Sequence, residues 1–337
     1  MAEPGKRNAI TDVEGLTVGN ATDEKAQTGV TVLRCAAPFA AAADIRGGGP
    51  GTREISALSP ENLVGKADAI VLSGGSVFGL AAADGVCAAL SYQNEGLRLG
   101  DKGPAIPIVP AAILHDLNND GDKNWGETPP YHRLGAEALT GASRDFSLGS
   151  VGAGRGAMAG AVKGGLGSAS LVLDSGICVG ALAAANPAGS VLMEDGQSFY
   201  AWPLELGAEY GGRPVPQERE GSHPFPKYSR LAGAQNSATP GRENTTLAIV
   251  ATSADLTRVE AKRVAIMAHD GMARAIRPVH TPFDGDIVIA LATGAHRLPA
   301  SAEIMRAAAV AEIGAAAGDC LARAIARGVF EASSRPA

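Results

Sequence analysis

Few aromatic residues and no long uncharged apolar run occur in this sequence, and each absence excludes a class of protein. Phe, Trp and Tyr make up only 4% of the 337 residues, so large rings cannot be the main anchors of the core. No apolar run approaches the roughly 18–20 residues that a membrane-spanning helix needs. Residues 1–15 also lack the apolar centre of a secretory signal. We therefore expect a globular protein without a membrane partner.

Clustered positive charge and closely spaced cysteines are missing as well. The net charge is −6, from 29 Lys and Arg against 35 Asp and Glu. Since no basic block stands out, a nucleic-acid partner is disfavoured. The four cysteines are far apart and form no CxxC spacing: Cys35, Cys87, Cys178 and Cys320. Buried free thiols are the favoured interpretation, and they fit a reducing cytoplasm as the location.

Glycine and small apolar residues are abundant instead. The 44 glycines and the hydrophobic fraction of 45% predict layers of sheet and helix with close backbone contacts. Strand-like runs bounded by Gly, Pro or Asp alternate irregularly with helical patterns, which favours an α+β fold. The predicted strands are residues 29–34, 69–72, 106–109, 170–173 and 177–182. The predicted helices are residues 78–91, 134–140, 256–276 and 301–329.

The segment 207–244 departs from this pattern, because its Pro, Gly and charged residues are typical of an exposed linker. A linker of this length is uncommon inside a compact enzyme and is often functional. It ends at Asn244, and Thr245 then opens an apolar strand. A threonine hydroxyl can attack the carbonyl before it, and the freed α-amine, with an ordinary pKa of roughly 7.7–8.0, can then serve as its base. By itself, this local sequence is more typical of a turn end or strand start.

Residues 116–127 satisfy the EF-hand calcium pattern, although their context does not. The required residue types are present at Asp116, Asn118, Asp120, Gly121 and Glu127. No amphipathic helix precedes them, so an Asx-rich loop is favoured over a calcium site. The six histidines share no ligand spacing, and neither GxSxG nor HExxH occurs. We therefore predict no metal and no cofactor.

Several blocks, taken in order, carry a resemblance to a known family. They are LSGGSVFGLAAADGV at 72–86, GSVGAGRGAMAGAVKGGLGSAS at 149–170, AAANPAGSV at 183–191, ENTTLAIVAT at 243–252 and HTPFDGDIVIALATG at 280–294. Together they resemble the DmpA-type L-aminopeptidase/D-esterase family of self-processing N-terminal nucleophile hydrolases over nearly the whole chain. The form around Asn244 is most similar to nylon-oligomer hydrolases.

This resemblance implies a fold and a division of the chain. The fold would be a four-layer αββα sandwich, shared with the ornithine acetyltransferase group, in a single domain over residues 1–337. Cleavage between Asn244 and Thr245 would give a large chain, 1–244, and a small chain, 245–337. The linker 207–244 would be exposed and processed, and a homotetramer of processed pairs is expected.

The family's functional residues carry over by matching motif. Thr245 would be the nucleophile, and Asn186 would donate its side-chain amide to the developing oxyanion. Lys163 would stabilise charge near Thr245, while Asp284 and Asp286 would hold its amine and hydroxyl. Without the resemblance, Asn186 is typical of a turn, Lys163 of a surface lysine, and the aspartate pair of a β-turn.

The same comparison implies features of the substrate pocket. Phe78 stands where some members have a tyrosine, so it would only shape the pocket, and Trp125 would lie near its mouth. Ala111 falls where aminopeptidase members use an acidic residue to bind a free amine. The missing carboxylate favours an amide hydrolase that recognises its substrate differently.

The predicted function is therefore hydrolysis of small peptides or amino-acid amides by a self-cleaved N-terminal threonine, through an acyl-enzyme. Two enzymatic alternatives stay open: an acyltransferase of the ornithine acetyltransferase type, and an aminopeptidase that releases L-, D- or β-amino acids. A binding protein without turnover is the third alternative, and the presence of all five predicted catalytic residues speaks against it.

Overall fold

The computed structural model describes residues 2–213, 224–232, 244–299 and 303–334. The strands of the amino-terminal part are β1 (Leu16–Asp23), β2 (Thr28–Ile45), β3 (Thr52–Arg53), β4 (Lys66–Ser73) and β5 (Ala111–Ile113). They are followed by β6 (Met158–Ala159), β7 (Val162–Lys163), β8 (Gly165–Val172), β9 (Cys178–Asn186), β10 (Thr245–Ala254) and β11 (Ile287–His296). The α-helices are α1 (Ala81–Tyr92), α2 (Tyr131–Thr140), α3 (Arg258–Ala275) and α4 (Glu303–Ser334).

One continuous sheet contains nine strands in the order β3-β5-β4-β2-β11-β10-β9-β8, with β1 paired to β2. The long strand β2 joins the two parts of this sheet. Its first half pairs with β1 and β4, and its second half pairs with β11, while Phe39 and Ala40 still pair with β4. The register with β4 shifts between Arg34 and Phe39, where Pro38 has no N–H to donate.

Three hydrophobic clusters separate four layers. Alternate residues of a strand face opposite sides: Val32 packs with α1 and α2, whereas Leu33 faces the other half of the sheet. Likewise Ile249 joins the cluster between the two halves, while Val250 packs towards α3 and α4. The layers therefore follow the order helices, one half of the sheet, the other half of the sheet, helices. This order confirms the predicted αββα sandwich within an α+β fold.

Glycines allow the layers to approach closely. A Cβ atom at Gly85 would lie 1.9 Å from a carbonyl oxygen of α2, and one at Gly271 would lie 2.1 Å from the carbonyl oxygen of Gly318 in α4. A Cβ at Gly167 would lie 1.9 Å from the Ala324 carbonyl oxygen. These contacts confirm that close backbone packing accounts for the high glycine content.

The predicted strand at 106–109 is wrong. Ile106 makes only an isolated bridge to Leu97, and the strand forms further along the chain, at Ala111–Ile113. Pro107 and Pro110 supply no N–H groups, so the backbone between them cannot form a regular ladder. The carbonyl of Pro110 still accepts a hydrogen bond of 3.0 Å from the Val71 N–H.

All four cysteines are free, as predicted, but Cys87 is only half-buried. Among the described residues, no helix is both long and apolar enough to span a lipid bilayer.

The range predicted to be an exposed linker is in part built into the fold. Tyr210 is buried, and its hydroxyl donates 2.7 Å to the Ala201 carbonyl. Further on, Ser229 and Leu231 are also buried. Exposure is therefore the wrong prediction for these positions, since a ring and an apolar side chain pack against the body of the protein. Residues 214–223 and 233–243 of the range lie outside the described residues.

Candidate active site

The predicted cleavage junction lies at the start of a central strand. β10 begins at Thr245 and runs between β9 and β11. Thr245 pairs with Asn186 in the register with β9, and an isolated bridge joins Asn244 to Asp284. Both junction residues are buried, with exposed fractions of 2% for Asn244 and 5% for Thr245. The fold thus places the predicted nucleophile, amide donor and one acidic residue at neighbouring positions of the sheet.

The carbonyl group of Asn244 has two donors. Its oxygen accepts a hydrogen bond of 3.0 Å from the main-chain N–H of Gly285, and the Thr245 hydroxyl donates to the same oxygen. Donors aimed at a carbonyl oxygen polarise the group and stabilise negative charge that develops on it. The hydroxyl therefore lies beside the carbonyl that it would attack, and a donor for the resulting oxyanion is already in place.

Gly285 has no room for a side chain. A Cβ atom there would lie 2.7 Å from Thr245 Oγ1 and 2.7 Å from the carbonyl oxygen of Gly49. Both distances are well inside van der Waals contact. Only glycine lets this turn approach the junction closely enough for its N–H to reach Asn244.

Asn186 is fixed by hydrogen bonds at both ends of its side-chain amide. Its Oδ1 accepts 2.9 Å from the Met158 N–H, and its Nδ2 donates 3.1 Å to the carbonyl oxygen of His115. Since the residue is only 1% exposed, these partners are needed to satisfy its polar atoms. The amide thus lies at the junction in a defined orientation.

Asp284 is completely buried and holds two main-chain segments. Its carboxylate accepts 3.0 Å from the Ala188 N–H, just after β9, and also accepts from the N–H and hydroxyl of Thr281. Burial, together with the nearby charge of Asp286, raises the pKa of Asp284 above its usual range. A positive charge close by would favour the ionised form of this carboxyl.

Asp286 is also completely buried and anchors the strand that begins at the junction. It accepts 2.7 Å from the Thr246 N–H and 2.8 Å from Nδ1 of His280. Among the hydrogen bonds of the described residues, none joins either aspartate to the Thr245 hydroxyl. In the uncleaved chain the two carboxylates bind main-chain N–H groups on either side, because fully buried carboxylates need such donors. That they hold the amine and hydroxyl of Thr245 stays a prediction.

Lys163 is exposed on β7. It lies opposite Met158 in the β6–β7 hairpin, and it is the Met158 N–H that contacts Asn186. Within the described part of the chain, no hydrogen bond or ion pair connects the Lys163 side chain to Thr245. The predicted effect of this lysine on charge at Thr245 stays a prediction.

An open cavity of about 650 Å³ borders the junction. Besides Asn244 and Thr245, it is lined by residues 49–52, 76, 77, 80, 113–115, 282 and 283. As far as the described residues go, this lining contains no Asp, Glu, Lys or Arg. The cavity is large enough for a small amide or short peptide segment, and its walls offer no counter-charge to a free ammonium group.

Phe78 and Trp125 do not line this cavity. Their rings contact each other edge to face, with centroids 5.9 Å apart, and Trp125 then contacts Tyr131 at 5.8 Å. The wall is formed instead by Val77 and Leu80 of the same segment. That Phe78 shapes the substrate pocket and that Trp125 lies near its mouth stay predictions.

Ala111 and Ile113 of β5 differ in their relation to the cavity. Ala111 is fully buried within the layers, whereas Ile113 at the end of β5 lines the cavity. Ile113 therefore presents an apolar, uncharged side chain to this wall. That Ala111 replaces an amine-binding acid stays a prediction.

The calcium pattern has a structural use. Asp116 is buried and accepts 2.6 Å from the Thr28 hydroxyl and 2.7 Å from the Gly75 N–H. Within the same loop, the Lys123 ammonium donates to the side-chain oxygen of Asn119. No group of three or more His, Cys, Asp or Glu that could hold a metal occurs among the described residues. The loop thus braces the turn beside the cavity.

Three contributors are not among the predicted site residues. They are Gly285, His115 and Arg230, whose guanidinium lies 3.2 Å from Oδ1 of Asn186. His115 lines the cavity, and its carbonyl fixes Asn186. The Asp-Gly-Asp turn did carry a signal, because glycine between two buried acids is the residue that permits close approach.

Comparison with known proteins identifies the family. The sequence matches the profile of Peptidase family S58 over residues 8–336. The chain belongs to this family. A protein named uncharacterized aminopeptidase in Mycobacterium tuberculosis is 44% identical over 338 residues, covering 96% of this chain and 94% of that protein. The 6-aminohexanoate-oligomer endohydrolase of Kocuria sp. is 30% identical over 305 residues, covering 88% of this chain and 78% of that protein.

Solved structures agree on the fold of this S58 peptidase. A β-aminopeptidase from Burkholderia sp. matches with a TM-score of 0.66 at 24% identity, covering 97% of this chain and 88% of that chain. The L-aminopeptidase D-Ala-esterase/amidase from Ochrobactrum anthropi matches with a TM-score of 0.66 at 20% identity, covering 98% and 88%. The latter is described as a variant of the Ntn hydrolase fold. The resemblance drawn from the motif blocks is confirmed, and the protein is a peptidase or amide hydrolase.

Proposed function

We propose that this S58 peptidase cleaves its own Asn244–Thr245 bond and then hydrolyses small amides with Thr245 as its N-terminal nucleophile. The observation that carries this proposal is the geometry of one carbonyl. The Asn244 oxygen accepts from the Gly285 N–H at 3.0 Å and from the Thr245 hydroxyl. A buried threonine against an already polarised carbonyl is the arrangement that an N→O acyl shift needs.

Self-cleavage would proceed in two steps, an N→O acyl shift and hydrolysis of the resulting ester. Thr245 Oγ1 forms a bond to the Asn244 carbonyl carbon, the C–N bond to Thr245 breaks, and the hydroxyl proton ends on the new amine. Water then attacks the ester, which leaves a carboxyl group on Asn244 and restores the Thr245 hydroxyl. The Gly285 N–H stabilises the oxyanion in both steps.

In turnover, the freed amine of Thr245 would take the proton from its own hydroxyl as the hydroxyl attacks a substrate amide. The acyl group is transferred to Oγ1, the substrate amine leaves with a proton, and water hydrolyses the acyl-enzyme. Asn186 would donate its side-chain amide to the substrate oxyanion, a contribution of about 3–4 kcal/mol to the barrier.

The buried carboxylates would complete this arrangement. Asp284 and Asp286 flank Gly285, and they anchor the chain after β9 and the start of β10 through Ala188 and Thr246. Cleavage places a new amine at this turn, and in its protonated form this amine would offset part of the burial and repulsion that raise the pKa of Asp284.

The cavity supports amides whose acyl part carries no ammonium group near the reacting carbonyl. Its described lining holds no carboxylate, and burying an unpaired ammonium there would be unfavourable. This favours an amide hydrolase over the aminopeptidase alternative suggested by the names of several relatives. Capture of the acyl-enzyme by an amine, as an acyltransferase would perform, is the second alternative.

Denaturing gels and a substrate panel test the proposal. Purified protein should give two bands, and the smaller should begin Thr-Thr-Leu-Ala. The Thr245→Ala protein should remain a single inactive chain, whereas Thr245→Ser keeps a hydroxyl and should still process. Matched amides with free and acetylated amines, assayed with and without an added acceptor amine, separate the three activities. Full-length wild-type protein that still turns over substrate would overturn the mechanism.

A further inference from the structure

The segment 224–232 docks beside the active site through its backbone. The Arg230 N–H donates 2.9 Å to the Ala188 carbonyl, and the Ser229 hydroxyl donates 3.1 Å to the same oxygen. The carbonyl of Tyr228 accepts 2.8 Å from the Ala161 N–H near the β6–β7 hairpin. These bonds fix the segment, although it belongs to the range that composition predicts to be a linker.

Docking in this way brings the guanidinium of Arg230 onto the end of β9. Its Nη2 lies 2.6 Å from the Met158 carbonyl oxygen and 3.1 Å from that of Pro187. The same nitrogen lies 3.3 Å from the main-chain oxygen of Asn186 and 3.2 Å from its side-chain Oδ1. The cationic Nη2 group of Arg230 therefore lies near four acceptor oxygens, two of which belong to Asn186.

These contacts decide the orientation of the Asn186 amide. Oδ1 faces the Met158 N–H and the Arg230 guanidinium, which are both donors, so the NH2 end cannot occupy that side. Nδ2 is thereby directed to the His115 carbonyl, and His115 lines the cavity. A charged donor on Oδ1 also polarises the amide and makes its N–H groups stronger donors.

We propose that Arg230 is a positioning residue for Asn186, and that the segment 224–232 is a working part of the active site. This inference rests on the proposed function, in which Asn186 stabilises the oxyanion of the substrate. Arg230 is not among the described residues that line the cavity; it acts by holding the amide donor in place. The segment 224–232 must accordingly remain docked after processing.

Steady-state kinetics of Arg230→Gln, Arg230→Lys and Asn186→Ala proteins test the assignment. Arg230→Gln should lower kcat roughly 10- to 100-fold with less than about a threefold change in KM. This loss of kcat is smaller than the roughly 100- to 1,000-fold loss expected when an oxyanion donor is removed outright. Arg230→Lys keeps one charged donor and should lie between this variant and wild type. Arg133→Gln, the same change at an exposed arginine of α2 that pairs with Glu137, is the matched control and should leave kcat unchanged.

A double-mutant cycle separates positioning from general structural support. In the Asn186→Ala background, Arg230→Gln should cause no further loss of kcat, because the group through which it acts is gone. Losses that multiply in the double variant would overturn the proposal. If the Gln variant does not fold, the same cycle is run with Arg230→Lys.

Crystal structures give a readout that does not depend on activity. In the Arg230→Gln protein, the Asn186 amide should leave its contacts with the Met158 N–H and the His115 carbonyl. An unchanged amide in that structure would sink the inference even if wild type is active. Conversely, a wild-type protein that neither cleaves itself nor hydrolyses amide substrates would refute the proposed function. The position of the Asn186 side chain in the two crystal structures would then still decide the role of Arg230.

Discussion

The main-chain N–H of Gly285 lies 3.0 Å from the carbonyl oxygen of Asn244, and this contact connects two parts of the sequence at the junction. Gly285 stands between two buried carboxylates that anchor Ala188 and Thr246. The turn 284–286 therefore contacts the chain just after β9, the start of β10 and the carbonyl group of Asn244. The positions of these groups are fixed by one main-chain N–H and by two buried carboxylates that bind main-chain N–H groups.

Gly285→Ala should slow self-cleavage about 100-fold or more, because the new methyl group would lie 2.7 Å from Thr245 Oγ1 and would displace the oxyanion donor. The fraction of cleaved chain over time, followed on denaturing gels, measures this rate. Gly141→Ala is a suitable control, since a Cβ there meets its nearest atom at 3.5 Å. Normal processing of Gly285→Ala would show that the Gly285 N–H is not needed.

Ile113→Glu should shift selectivity towards substrates that carry a free amine. A carboxylate at this cavity wall would pair with an ammonium group, and a gain of about 1.4 kcal/mol corresponds to a tenfold change. We expect the ratio of kcat/KM for free-amine over acetylated amides to rise at least about tenfold. Ile113→Gln introduces a side chain of the same size as glutamate but without its charge, and it should not show this rise. An equal shift in both variants would contradict the electrostatic explanation.

Calcium should not stabilise the protein, because the first acidic residue of the pattern is already engaged. Asp116 accepts from Thr28 and Gly75, so Asp116→Ala should cost about 1–3 kcal/mol by leaving these buried donors unsatisfied. Melting temperatures with millimolar calcium and with EDTA should agree within about 1 °C. A calcium-dependent rise that disappears in Asp116→Ala would restore the metal-site interpretation.

Acid should destabilise the fold through His269. Burial is the main cause that lowers the pKa of this imidazole to about 4, and the neighbouring His280 also lowers it. Because the folded pKa lies below the unfolded value, its stabilising contribution is complete above about pH 6.5. This contribution, on the order of 3 kcal/mol at most, is then lost as the pH falls towards 4.

Urea unfolding at pH 7.0, 5.5 and 4.5 measures this effect. The free energy of unfolding of His269→Gln should fall less on acidification than that of wild type. His132→Gln changes an exposed histidine and should follow wild type. Equal pH slopes for wild type and His269→Gln would rule out His269 as the responsible group.

Much of the fold could be predicted from local patterns. Alternating apolar residues around Val32 and Ile249 define which strand faces are buried, and this period of two survives in the structure as clusters on opposite sides of the sheet. The apolar pattern at 106–109 predicts a strand wrongly, because Pro107 and Pro110 have no N–H groups to donate to a ladder.

The sequence by itself determined the layered α+β class and the ordered motif blocks, and it predicted the Asn244–Thr245 junction, because periodicity and short motifs depend on residues close together along the chain. The tertiary structure alone decided which donor reaches the Asn244 carbonyl and that Arg230 holds Asn186. It also decided that Ile113, rather than Ala111, faces the cavity. These relationships join segments that are distant in sequence, and hydrogen bonds form only where packing of the layers brings a donor within about 3 Å of its acceptor.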